Sequence, residues 1–142
     1  MSAHVTYRRI RFAKYRLEEP FVIQLPVKPP HRIEDHVDEI VYDLDGTLHI
    51  AAGYTWDGST GPSFDTPSIM RATIVHDAFY QLMADGFLPL SYRKPSDDLF
   101  QAMCKEDGMN SFRAWYSWLA VRLFGGLVLR IYPKRSGVEA SP

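Results

Sequence analysis

The sequence predicts an α+β fold: an N-terminal antiparallel sheet of short strands and hairpins, then a three-helix C-terminal layer. Two observations carry this. Up to about residue 60, apolar residues come in short runs cut by proline, glycine and Asp-Gly, the pattern of strands and turns. From Ser68 onward, apolar residues recur at three- and four-residue intervals, the period of helices that bury one face. A chain of 142 residues has the length of one domain, so both halves are expected to share a core over residues 1–142.

Val5, Tyr7 and Ile10 open the strand region, and the run Phe21 to Leu25 follows. Pro26, Pro29 and Pro30 stop that run, because proline offers no donor to a ladder. Pro26 to Asp38 reads as loop. Glu39 to Leu44 then enters Asp45-Gly46, and Thr47 to Ile50 leaves it. Apolar runs flanking Asp-Gly predict a hairpin, since a two-residue type I′ turn needs both residues at positive φ. Asp43 and Asp45 should be exposed there. Three glycines and two prolines between Gly53 and Pro67 predict a long structured loop.

Thr66 is the expected cap of the first helix, with Pro67 at its first position. Over 68–84, Ile69, Ala72, Val75, Phe79, Tyr80 and Met83 share one face. Ser96 is expected to cap a second helix that runs to Asp107, with Gly108 at its C′ position. The third helix should start near Asn110–Ser111 and end at Phe124, before Gly125-Gly126. Leu127 to Tyr132 reads as a short apolar tail or strand, and Pro133 onward as a frayed end.

Composition excludes several classes. Apolar residues are 46% and charged residues 23% of the chain, which argues against disorder. A net charge of −1 provides no overall basic field, so no nucleic-acid partner is expected. The charge is unevenly placed: residues 1–16 carry five basic and no acidic side chains, whereas 17–66 carry two basic and ten acidic. That asymmetry suits an anionic partner at the ends, or a cation at the middle, if it is not simply solvated. One cysteine, Cys104, rules out a disulfide framework or a Cys-rich zinc site. The opening MSAHVTYRRIRF lacks the apolar core of a secretory signal, so a soluble protein of a reducing compartment is expected. Trp115 to Ile131 is apolar, but Arg122 near its centre would cost about 2.5–3.5 kcal/mol in a bilayer. It reads as a buried core helix and not a span, with peripheral membrane contact through its tryptophans left open.

Val41-Tyr42-Asp43-Leu44-Asp45-Gly46-Thr47-Leu48 resembles the first motif of the haloacid-dehalogenase phosphohydrolases. That resemblance implies Asp43 as nucleophile and Asp45 as acid/base beside Mg²⁺. The family needs a doubly wound parallel sheet, and no helix-sized segment follows the motif before Ser68. The hairpin accounts for the same residues without chemistry.

A second constellation begins with Gly53-Tyr54-Thr55-Trp56-Asp57-Gly58-Ser59-Thr60-Gly61-Pro62. It continues through Val75-His76-Asp77-Ala78-Phe79-Tyr80, Arg93, Ser96-Asp97 and Phe100, to Arg113 and Val121–Gly125. In this order it resembles the phage and prophage domain-of-unknown-function family 1353, over roughly residues 38–126. The resemblance implies a phage or prophage origin, a place in host cytoplasm or virion, and partners among other phage proteins or an envelope component. It implies no settled activity.

The same glycine loop, His-Asp-x-x-Tyr helix and distant Asp three residues before Phe are similar, more loosely, to the core of phospholipase A2 enzymes. That likeness implies His76 as base for a water, Asp97 as its orienter, Tyr80 as a supporting hydrogen bond and Asp77 as ligand of a divalent cation, Ca²⁺ or another. Asp57, in the loop with Gly58 and Gly61, is the second candidate ligand. No cofactor follows from the residues themselves.

The helical wheel places His76 in the apolar stripe, largely buried, with Asp77 at its edge. A buried imidazole needs partners, and Tyr80 and Asp97 are the candidates. A satisfied core histidine and a catalytic base both meet that description. Arg122 lies on the apolar face of the third helix beside Trp115 and Leu119 and must be paired; Asp57, Asp77 and Asp97 are eligible. Arg93, four residues before Asp97, is placed to fix the start of the second helix. Asp57-Gly58 also suits a side-chain-to-backbone turn, and Trp56, Phe64 and Trp115 are expected in the core. Two functions remain: a phage accessory or virion protein whose polar cluster holds the helices, or a small hydrolase of a lipid ester or envelope component.

Overall fold

The computed structural model describes residues 3–11, 14–57 and 67–131. Its strands are β1 (Tyr7–Arg11), β2 (Lys14–Leu17), β3 (Phe21–Gln24), β4 (Ile33–Asp35), β5 (Ile40–Tyr42), β6 (Thr47–Ile50) and β7 (Thr55–Asp57). Three helices follow, α1 (Pro67–Ala84), α2 (Arg93–Glu106) and α3 (Ser111–Ile131), with a 3₁₀ turn at Leu90–Tyr92 before α2. The fold is therefore α+β, strands first and helices second.

The strands divide into two antiparallel sheets instead of one. The order is β1-β2-β7 in the first and β3-β6-β5-β4 in the second. β2 pairs with β7, about forty residues on, placing Tyr15 opposite Trp56, while Glu18-Glu19-Pro20 separates it from β3. Side chains alternate as a pleat requires: Tyr15 and Leu17, then Phe21 and Ile23, are buried while their neighbours face outward. β4 and β7 fall in segments that read as loops. Each is three residues long and owes its extended form to a distant partner, Ile33 facing Tyr42 and Trp56 facing Tyr15.

The Asp45-Gly46 hairpin joins β5 and β6 as expected, but with a different turn. Gly46 N–H donates to Asp43 O and Asp43 N–H to Thr47 O, both at 2.9 Å, closing a three-residue loop. Only Gly46 takes positive φ (92°), the bulge geometry of three-residue hairpins and not type I′. The Gly46 carbonyl also accepts from Leu25 N–H, and a Cβ at Gly46 would run into the Leu25 carbonyl. Asp45 accepts from Thr47 N–H, which holds its carboxyl below the usual value. Asp43 pairs with Arg32 at 2.7 Å and His49 at 3.2 Å. β5 is antiparallel to both neighbours, so the strand-to-helix junction of a haloacid-dehalogenase site is absent here.

α1 is the central helix. The predicted face, Ile69 to Met83, is buried, and so are Met70, Arg71, Thr73, Ile74, Gln81 and Leu82. A one-sided stripe was too narrow a reading, because sheets and helices cover α1 on several sides. Trp56 Nε1–H donates to Thr73 Oγ1 at 3.1 Å, tying the first sheet to α1. Tyr42 meets Phe79 edge-on at 5.3 Å, tying the second.

α2 begins at Arg93, four residues earlier than a Ser96 cap implies. Ser96 lies inside the helix and makes no cap; its buried Oγ has no hydrogen-bond partner among the described residues. The C-terminus is as read: Gly108 has φ 102°, Gly108 N–H reaches Lys105 O and Met109 N–H reaches Cys104 O, a Schellman ending. α3 runs straight through Gly125-Gly126 to Ile131. It is not a core helix either. Phe112, Trp115, Leu123, Phe124 and Leu127 are exposed, so Trp115 leaves the predicted core while Trp56 stays in it. Among the described residues no helix is long and apolar enough to cross a membrane. The Thr66 cap, Phe64, the glycine loop beyond Asp57 and the tail after Ile131 lie outside the described residues.

Candidate functional site

Positions four apart on a helix share a face, and α1 uses this to present His76 and Tyr80 together, their rings 4.3 Å apart. Both reach Asp97 on α2. His76 Nε2 lies 2.6 Å from Asp97 Oδ1, and the Tyr80 hydroxyl donates to the same oxygen at 2.8 Å. Arg122 of α3 donates Nη1–H to Asp97 Oδ2 at 2.9 Å. Of the three carboxylates eligible for Arg122, Asp97 takes it. Asp97 is fully buried (0% exposed), whereas the His76 side chain is 15% exposed.

The donors determine where the protons sit. Arg122 and Tyr80 both donate to Asp97, which serves as a carboxylate. The nitrogen of His76 facing it therefore carries hydrogen. In the neutral imidazole the lone pair is left on Nδ1, which has no hydrogen-bond partner among the described residues. Phe100 packs at 5.1 Å and holds the ring plane. Burial, reinforced by the charge of Asp97, pushes the Tyr80 hydroxyl well above its usual value. Tyr80 is thus a fixed donor that positions Asp97, not a proton acceptor. Asp97 itself lies beyond the first turn of α2, so side-chain donors and not the helix terminus hold its charge.

Arg93 does a job the sequence did not suggest. Its Nη2–H donates to the Arg122 carbonyl, and to Val121 O at 3.4 Å, gripping α3 instead of capping α2. Gly125 makes room for this. A Cβ at Gly125 would collide with the Tyr80 hydroxyl and lie 3.2 Å from Arg93 Nε. The signal was a glycine pair inside an apolar helical period, which reads equally as a helix end.

Asp57 and Asp77 make no hydrogen bond or ion pair with His76 among the described residues. Asp57 is exposed at the end of β7 and pairs with Lys14 at 3.3 Å. Asp77 is half-buried on α1 and joins no group of three His, Cys, Asp or Glu ligands among the described residues. Gly58 and Gly61 fall outside those residues.

A protein-family model described as "Protein of unknown function (DUF1353)" matches residues 37–121, well over half of the chain. The chain belongs to this family. The DUF1353 span takes in β5 to β7, α1, α2 and the first half of α3, and so His76, Tyr80, Arg93 and Asp97; Arg122 lies one residue beyond it. No curated protein and no solved structure matches the chain.

Proposed function

We propose that this DUF1353 protein is a small phage- or prophage-encoded hydrolase in which His76 is the general base acting on an ester. One observation carries the reading. A fully buried Asp97 holds Nε2–H of His76 at 2.6 Å, and the opposite nitrogen has no hydrogen-bond partner among the described residues, on a ring that still reaches solvent. A base needs this tautomer and this access. Nδ1 takes a proton from water as the water oxygen bonds to the ester carbonyl carbon. The carbonyl oxygen carries the charge until the ester C–O bond breaks, and the alkoxide leaving group takes the proton back from the imidazolium. Asp97 stabilises that imidazolium and keeps the ring in place, with Tyr80 and Arg122 holding Asp97.

The substrate class follows from α3. Its outer face exposes Trp115, Leu123, Phe124 and Leu127. Its charged residues, Arg113, Arg122 and Arg130, are all basic. An apolar stripe with an interfacial tryptophan and basic residues suits an anionic lipid surface, and Arg122 puts that helix beside the dyad. The substrate is a lipid ester of such a surface.

The test pairs activity with melting. Against vesicles containing anionic phospholipid, His76→Gln should lose about 10²–10⁴-fold in ester hydrolysis while melting near the wild type. A wild type without hydrolysis, or a His76→Gln variant that keeps it, would overturn the reading. A large drop in melting temperature in that variant favours a second reading, an accessory or virion protein. The observation behind that alternative is that Asp97 joins all three helices whether or not chemistry occurs.

A further inference from the structure

Asp35 closes β4 and is 2% exposed. Its Oδ1 accepts Val37 N–H at 3.0 Å and Asp38 N–H at 3.3 Å, while Oδ2 is buried with no hydrogen-bond partner. No cationic side chain among the described residues pairs with Asp35. A carboxylate oxygen shut away from water without a partner is costly. Something positive belongs beside it.

Two more carboxylates meet it there. Asp38 lies in the same turn, where Glu39 bends the chain back at φ 53°. Asp85 comes from a different element, just past the end of α1, where Gly86 and Phe87 close a Schellman ending onto Met83 O and Leu82 O. Gln81 Nε2–H holds Asp85 Oδ2 at 3.0 Å. One oxygen each of Asp35, Asp38 and Asp85 lies within 4.8 Å of the others. The last turn of α1 carries no basic residue, so the negative end of its dipole adds to the three carboxylates.

We infer that Asp35, Asp38 and Asp85 bind a hard divalent cation, Ca²⁺, which staples the β4–β5 turn to the C-terminus of α1. Only oxygen is offered, which selects Ca²⁺ or Mg²⁺ over softer ions. Oxygens on one ion lie no further apart than twice the metal–oxygen distance, about 4.8 Å for Ca²⁺ and about 4.2 Å for Mg²⁺. The spacing admits Ca²⁺, whereas Mg²⁺ dehydrates reluctantly and is seldom held by protein carboxylates alone. Asp38 and Asp85 are half-buried, so the site opens to solvent on their side. It shares no residue with the dyad or with Asp77.

The test uses the whole chain, stripped with EDTA, dialysed, and titrated with CaCl₂ by calorimetry and thermal melting. One site is expected, with a melting rise of about 5–10 °C at about 100 times the dissociation constant, and weaker binding of MgCl₂. Asp35→Asn keeps an acceptor for the two turn N–H groups but removes the charge. It should weaken Ca²⁺ binding at least tenfold and melt in EDTA no lower than the wild type. Asp85→Asn should do the same from a different element and decides the matter if the first variant fails to fold. His76→Gln should keep the full response. No heat and no melting shift in the wild type would overturn the site. A Ca²⁺ response that survives both Asp35→Asn and Asp85→Asn, or is lost only in Asp77→Asn, would also overturn it.

Discussion

Asp97 has no exposed surface and meets three donors from two other helices. Removing its charge leaves the guanidinium of Arg122, 26% exposed, without its carboxylate. Breaking a buried pair from one side costs about 3–5 kcal/mol, and partial exposure puts Asp97→Asn at about 3 kcal/mol. Denaturant melts should show that loss, and a change under about 1 kcal/mol would mean the network is not what holds α2 to α3. His76 differs in kind. Asp97 keeps two other donors without it, so His76→Gln should be felt mainly in activity. The contrast between these two neighbours separates holding from reacting within one hydrogen-bonded set.

At the scale of elements, two adjacent glycines give opposite predictions. Gly126→Ala places its Cβ 3.7 Å from Arg93, an ordinary contact, so helix propensity should stabilise α3 by up to about 1 kcal/mol. Gly125→Ala gains the same propensity, yet its methyl meets the Tyr80 hydroxyl and crowds Arg93. Overpacking of about 1–3 kcal/mol should win. Equal melting temperatures for the two variants would refute the notch. This pair also shows what sequence could and could not convey. The Asp45-Gly46 hairpin and the Gly108 helix end were legible because neighbours in the chain determine them. That His76 and Tyr80 face one way follows from helix geometry alone. The passage of α3 through Gly125 depends on Arg93 and Tyr80, residues far away in sequence, and β7 depends on β2, about forty residues earlier. The choice of Asp97 over Asp57 and Asp77 for Arg122 needed the placement of α3. The meeting of Asp35 with Asp85, fifty residues on, left no local trace.

At the scale of the molecule, Arg71 gathers the chain. From near the start of α1 it forks onto Asp107 at 3.0 and 2.8 Å, reaches Glu106 at 2.6 Å and the Ala3 carbonyl at 3.3 Å. The hydrogen bond from Arg71 holds the Glu106 carboxyl below its usual value of 4.5. A depressed carboxylate contributes stability that is complete above its unfolded value and is lost as pH falls through the folded one. Arg71→Met should therefore cost about 3 kcal/mol near neutrality, and the gap from wild type should narrow as pH drops below about 4. Melting curves across pH 2–7 measure it. A gap independent of pH would mean that packing of the arginine stem, not its charge, is what α1 loses.

Cys104 lies on the buried side of α2 with no exposed surface, and burial pushes its thiol up to about 12. Only thiolate reacts with disulfide reagents, so the native molecule should be silent toward them at pH 8. Labelling must wait for α2 to come away. With reclosing faster than reaction, the labelling rate should fall below that of a free thiol by the opening equilibrium, on the order of 10³-fold or more. Asp97→Asn should accelerate it in proportion to the stability lost, and prompt labelling of the intact protein would contradict this. A single atom of sulfur thus serves as a clock for the helical layer, and timing it requires a thiol reagent but no substrate.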